Sequence, residues 1–390
     1  MRARGLTAYF IGACLLRGAD AAAIIGIVLA ARRAGAGDAT GVLAACITLP
    51  HLAGPVAAQL LDRARAKQLV LAAAGLLYAV ALTGAVLLLP VSIVAAAGAL
   101  IIAGFAGPLL TGGLSSQLTA IVGTTERSRL RAQGMDAFTY GVSATAGPAV
   151  VAVIASTSTP TAAILAAAGA AAGGAIAVLF LPRAVPVPID TEPPAPVGLR
   201  AALGMLVHLP GLRRTTIATA VTAIPLGAAP LLALATVDSL GSPAASSAVL
   251  TSAYGAGNLA ISALLIVVPL RGGADRLVRV GVITVLAAFA AGLAIFSVPV
   301  GIVTFALLGI ATGLLFTASL AARAAFSPSG AEAQIFVSMA GIKVAFSSTG
   351  TAIAGTLLPL GGTTMFTIAT ALTLVTLAYL LADRRPQPSR

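Results

Sequence analysis

The chain has 390 residues, 59% of them hydrophobic and 9% charged, with mean hydropathy +1.05. A soluble domain carries about 25% charged residues, so a water-soluble globular fold is excluded and an all-α integral membrane protein is implied. The formal net charge of +12 raises nucleic acid as a partner, but the bases lie scattered in short loops rather than on a folded domain, and no nucleic acid is expected.

A spanning helix needs about 20 apolar residues. Twelve such runs occur, at 7–30, 40–60, 69–89, 93–114, 135–156, 160–181, 215–236, 244–268, 277–298, 301–321, 335–358 and 363–382. The alternating ten-residue segments of a membrane barrel are missing. The first run is too long for a signal peptide and no small-residue cleavage site follows it, so it is read as a span. It carries Arg17 and Asp20, three residues apart and hence on one helix face. An ionisable group near the bilayer centre costs roughly 3 kcal/mol or more and faces a cavity or a partner. The two are therefore either a proton or substrate site or a mutually neutralising structural pair.

The second run contains His51, for which a packing role is favoured over titration, and leads into Gly54-Pro55-Val56-Ala57-Ala58-Gln59-Leu60-Leu61-Asp62-Arg63-Ala64-Arg65-Ala66-Lys67. One acid and three bases within six residues mark a tight turn at a membrane face. From Val91 to Val122 no residue is charged. In the fifth run Asp136 follows Arg131 and Gln133 near an expected interface, where a charge relay with Arg129 and Arg131 or with the Asp62 turn is favoured over substrate contact. Farther along, Gly141, Gly147 and Pro148 allow close packing and a bend.

The longest polar stretch, 182–214, is proline-rich and reads as an extended, semi-rigid linker. It separates an N-terminal six-helix bundle, 1–181, from a C-terminal bundle with a short tail, 215–390. Near the middle of the eleventh run Lys343 has no local acid; it either binds an anionic group in a cavity or snorkels to the interface. Gln117, Thr111, Asn258 and Tyr140 are read as helix-to-helix hydrogen-bonding groups.

Cys14 and Cys46 fall toward opposite faces, so no disulfide is expected. His51 and His208 stand far apart without acidic or cysteine companions, so no metal and no cofactor are expected. No phosphate-binding Gly-x-x-x-x-Gly-Lys-Ser/Thr loop occurs, so ATP-driven transport is excluded and energy would come from an ion gradient. Of the 23 basic residues, 19 fall in one set of loops, which the positive-inside rule makes cytoplasmic, with both termini on that side.

The two halves echo each other at an offset near 200. Thr111-Gly112-Gly113-Leu114 matches Thr312-Gly313-Leu314-Leu315, Arg131-Ala132-Gln133 matches Glu332-Ala333-Gln334, and the Asp62 turn has a weaker echo in Leu270–Arg276. Parallel repeats about an axis along the membrane normal are the plan of one transporter class.

On these residues the chain resembles the major facilitator superfamily. The match rests on Gly54, Asp62, Arg63, Arg65 and Lys67 in the turn after the second run, with Ala64 or Ala66 where that family often has glycine. Gly141-Val-Ser-Ala-Thr-Ala-Gly147-Pro148 is similar to the Gly-Pro segment of the family's antiporters, with Val150-Val151 in place of the trailing glycines. The resemblance implies twelve helices in two six-helix bundles and a monomer in the cytoplasmic membrane that rocks about a midplane site. It also implies efflux of a small molecule by proton antiport and a latching role for Asp62. A proton-coupled member commonly carries an arginine in its fourth span; none is present here. An uptake symporter or facilitator is the alternative. An intramembrane enzyme is disfavoured because no His-Glu-x-x-His or other catalytic set occurs, and a non-transporting scaffold because the loops are short. Arg17, Asp20, Asp136 and Lys343 are the candidates for coupling or for the substrate cavity.

Overall fold

Helix formers fill the long apolar runs while Pro, Gly and Ser cluster at the junctions. A computed structural model, describing residues 2–35, 39–122, 125–182, 199–243 and 246–383, follows that division. The order is α1 (Arg2–Arg33), α2 (Ala39–Thr48), a 3₁₀ turn (Leu49–Ala53), α3 (Gly54–Arg63), α4 (Lys67–Leu88), α5 (Ile93–Pro108) and a π turn (Leu109–Gly113). Next come α6 (Leu114–Ser116), α7 (Leu118–Ile121), α8 (Glu126–Thr157), α9 (Pro160–Leu179), α10 (Leu199–His208), α11 (Pro210–Gly227), α12 (Ala229–Ser239) and α13 (Ser246–Val267). The chain continues through α14 (Ala274–Gly292), α15 (Val298–Phe326), α16 (Glu332–Leu357), a 3₁₀ turn (Leu358–Leu360) and α17 (Gly361–Ala382). Among the described residues there is no strand.

Local chemistry sets several of these starts. Ser92 and Thr159 cap α5 and α9 by accepting from the Ala95 and Ala162 amides at 3.2 and 3.0 Å. Pro160 and Pro210 open α9 and α11, positions where a missing N–H costs nothing. Inside the helices threonines turn their hydroxyls back on the carbonyl four residues earlier, as Thr222 does to Ala218 and Thr304 to Val300, which satisfies them without water.

Eight helical stretches are long and apolar enough to cross a membrane, or up to ten if each of two bent pairs counts as one span. That is fewer than the twelve runs of the sequence, for two reasons. Helices α16 and α17, separated by the Leu358–Leu360 turn, pass as a single 51-residue stretch. Helix α14 carries Asp275, Arg276 and Arg279 in its first two turns. Large apolar side chains such as Val80, Leu87, Val91, Val94, Val303 and Val375 stand exposed along the helices, a surface that only lipid covers at low cost. The protein is a multi-pass membrane protein.

The chain forms two compact units. One comprises Met1–Thr124, Val142–Ala202 and Pro328–Gly341; the other comprises Thr125–Gly141, Leu203–Ser327 and Ile342–Arg390. Helices α8 and α16 each change unit along their length. In the first unit α1 and α4 pack on α9, and α5 packs on α4. In the second, α13 and α14 pack on α15, and α17 on α12 and α14, around Phe289, Phe305 and Phe366. Phe366 meets the other two rings edge-on at 6.4 and 6.1 Å.

Two sequence expectations are corrected. Part of the 182–214 stretch is helical: α10 occupies 199–208 and buries Ala202 and Leu206, four residues apart, and α11 already starts at Pro210. The proline-rich segment 183–198 lies outside the described residues. Arg323, expected in a cytoplasmic loop, is instead inside α15 and 2% exposed, because the helix runs five residues past 321.

Candidate functional site

Charged and polar groups gather at three places within the units. The first lies in unit one, where α1, α2, the adjoining 3₁₀ turn, α4 and the end of α5 meet. Arg17 and Asp20 share a face of α1 as their spacing requires, but the structure gives them different partners. The Arg17 guanidinium is 2% exposed and donates to Ser115 Oγ at 2.8 Å, to the Thr111 carbonyl at 3.1 Å and to Tyr9 Oη at 3.4 Å. A cation from the first span is thereby set against the π turn of the fourth, which has no charged residue of its own.

Asp20 faces His51 instead, with Oδ1 3.6 Å from Nε2, and the fully buried Tyr78 of α4 adjoins the same carboxylate. The other ring nitrogen of His51, Nδ1, lies 3.1 Å from the Ile47 carbonyl. A carbonyl only accepts, so Nδ1 carries a proton. A neutral ring then turns a bare Nε2 toward a carboxylate, two acceptors facing each other. A proton on Nε2 or on the carboxyl turns this contact into a donor facing an acceptor. Gly107 makes room for this ring: a Cβ there would run into it.

The second place is the turn after α3. Asp62 accepts from the backbone amides of Ala333 and Gln334 at 3.2 and 3.1 Å, so it caps the start of α16, where the helix dipole favours an anion. Lys67 Nζ stands 3.9 Å from the same carboxylate. Arg63 and Arg65 are exposed. Gly54 is buried where a Cβ would press on Val337 and Pro108. The weaker repeat of the turn is wired differently: Asp275 takes a two-pronged bond from Arg214 at 2.9 and 2.5 Å, and Arg213 joins Asp383 at 2.6 Å. The Arg213 guanidinium and the Tyr379 hydroxyl hold the Asp383 carboxyl below its ordinary value.

The third place is in unit two. Asp136 is fully buried and lies near Arg323, whose charge it offsets. Lys343 Nζ sits 4.0 Å from the centre of the Phe316 ring, and Tyr140 packs edge-on against that ring at 5.0 Å. Lys343 also lines a cavity of about 160 Å³ together with Thr222, Tyr254, Thr312, Ser319 and Ser347.

The remaining candidates, Gly141, Gly147 and Pro148, lie in α8. Helix α8 runs without a break through Pro148; Gly147 lets it approach the Gly18 carbonyl, and Gly141 leaves ordinary contact with Leu259 and Asn258. Packing is the role expected of His51, and nothing in the pattern around Arg323 marks it as a buried group. An aspartate near the middle of the first span, one turn past Arg17, was the available signal for a partner, but not for which residue it would be. Among the described residues no cluster of His, Cys, Asp and Glu could hold a metal ion.

No family model matches the chain, and no curated protein matches it in sequence. Solved structures do match in fold. A bacterial homologue of the iron transporter ferroportin, in an outward-facing state, superposes with TM-score 0.78 at 12% identity, covering 97% of this chain and 98% of its own. The major facilitator superfamily proton:xylose symporter XylE gives 0.72 at 12% identity, covering 99% and 96%. The human organic anion transporter MFSD10 gives 0.71 at 15% identity, covering 97% and 99%. The chain has the fold of the major facilitator superfamily transporters.

Proposed function

We propose that the protein is a secondary active transporter that moves a small solute across the cytoplasmic membrane by alternating access, with protons as the coupling ion. The observation that carries this reading is the Asp62 cap on α16. A full carboxylate spent on two amides of a helix that passes from one compact unit to the other is a contact suited to being made in one state and released in another. In the proposed span count α14 crosses despite its charged first turns, α16 and α17 cross separately, and each bent pair crosses once. The count is then twelve, six to a bundle, with both termini cytoplasmic and the protein a monomer.

Coupling is assigned to Asp20 and His51, which face each other at 3.6 Å. Arg17, held by the fourth span, keeps a fixed positive charge one turn away and opposes a second. Lys343 and Asp136 are assigned to the solute side. Export by antiport is the preferred direction, on the Gly141–Pro148 segment. Uptake by symport is the second reading, favoured by the likeness to a proton:xylose symporter.

The test is solute flux in proteoliposomes under an imposed pH gradient. Flux driven by the gradient in the wild type, and slowed several-fold in Asp62→Asn protein that expresses and purifies normally, supports the reading. Wild-type flux in Asp62→Asn removes the latch.

A further inference from the structure

The cavity beside Lys343 lies wholly within unit two, bounded by α11, α13, α15 and α16. Its volume of about 160 Å³ is below the 300–1,000 Å³ of drug-sized sites and suits a small metabolite. The charges around it do not cancel. Lys343 and Arg323 are close enough to repel each other, and the acid near them is Asp136, which acts on Arg323. Among the described residues no carboxylate pairs with Lys343, whose neighbour is the Phe316 ring. Arg323 is fully buried, and its Nε and Nη2 have no hydrogen-bond partner. Two cations against one acid in a low-dielectric interior leave an uncompensated positive charge.

The hydroxyls in the cavity wall add a second constraint. Thr222, Thr312 and Ser319 donate to the Ala218, Leu308 and Phe316 carbonyls at 2.6, 2.8 and 2.8 Å. With their protons spent on the helix backbone, these oxygens can only accept from whatever enters. The wall thus offers one strong cationic donor and three hydroxyls that accept, with the Thr219, Tyr254 and Ser347 hydroxyls beside them. A bare fatty acid satisfies the first and wastes the second; a neutral polyol does the reverse.

We propose that this cavity binds a small hydroxylated organic anion, its carboxylate or phosphate on Lys343 and its hydroxyl groups donating to Thr222, Thr312 and Ser319. The proposal deepens the transporter reading by naming the class of solute. Lysine is a point donor that does not distinguish a planar carboxylate from a tetrahedral phosphate, so both belong in the test.

Equilibrium binding is measured by calorimetry on the full-length protein in nanodiscs. The probes are glycerate, gluconate and glycerol 3-phosphate, with glycerol, glucitol and hexanoate as neutral and unhydroxylated counterparts. The hydroxylated acids bind at least tenfold tighter than either counterpart, and the preferred acid tells carboxylate from phosphate. Lys343→Gln loses at least tenfold for the acids, and Lys343→Arg retains part of it. Thr222→Val narrows the gap between gluconate and hexanoate. Size-exclusion profiles and melting curves of each variant separate lost binding from lost fold. No binding of any acid, equal binding of glucitol and gluconate, or unchanged acid binding in folded Lys343→Gln protein overturns the proposal. Counterflow in proteoliposomes is scored separately. Acid binding without counterflow upholds the site and removes the transporter reading; counterflow of glycerol or glucitol with no acid binding does the opposite.

Discussion

Asp62 holds two backbone amides and one ammonium with two oxygens. Asn in its place keeps one acceptor oxygen but loses the charge, and a charge at a helix N-terminus is worth about 0.3–1 kcal/mol, up to about 2 when partly buried. Asp62→Asn protein is therefore expected to fold and reach the membrane, and to transport several-fold more slowly; initial rates at matched protein amounts check this. At Asp20 and His51 the expected defect is different. Asp20→Asn removes the carboxylate that faces His51: gradient-driven flux is lost while solute exchange at equal pH persists. Loss of both together would point to a packing role. Asp383 makes a pH prediction. Its side chain is 9% exposed beneath Arg213, and the bond from Arg213 lowers its carboxyl from the ordinary 3.8. A depressed carboxylate stabilises the fold fully above the ordinary carboxylate range, and that contribution is lost as pH falls through this range toward the lower folded value. The melting temperatures of wild type and Asp383→Asn should differ near neutrality and converge in acid.

Among the elements, close approach by small residues does the work that apolar burial cannot do in lipid. Helices α13 and α15 meet at Gly257 and Gly309, where a Cβ would collide with the Ala306 and Tyr254 carbonyls. Gly309→Leu should force the pair apart at a cost of about 1–3 kcal/mol, read as a lower melting temperature in detergent with the cavity ligand affinity also reduced. Much of the helix plan was legible because it depends on local composition: the runs at 69–89 and 160–181 reappear as α4 and α9. What was hidden depended on neighbours. Prolines around 182–198 masked the apolar pair Ala202 and Leu206 that docks α10. The second run gave no sign of a break except Pro50 and the Gly54-Pro55 pair, which set the 3₁₀ turn at Leu49–Ala53 and bring His51 to Asp20. The shared face of Arg17 and Asp20 followed from helical spacing; that their partners come from the fourth and second spans is tertiary information.

For the whole molecule, composition alone required a membrane, and the fold is that of a transporter superfamily although no sequence relative is recognised. Its few buried charges have separate proposed tasks: a latch at Asp62, a proton site at Asp20 and His51, and a solute site at Lys343. The most direct test of that division loads proteoliposomes with a pH-sensitive dye and adds glycerate or gluconate under an imposed gradient. The account predicts a proton flux that appears only with the solute and disappears in Asp20→Asn and His51→Gln while solute counterflow survives. Solute movement in the wild type that ignores the gradient, with both variants behaving like it, would contradict proton-coupled transport.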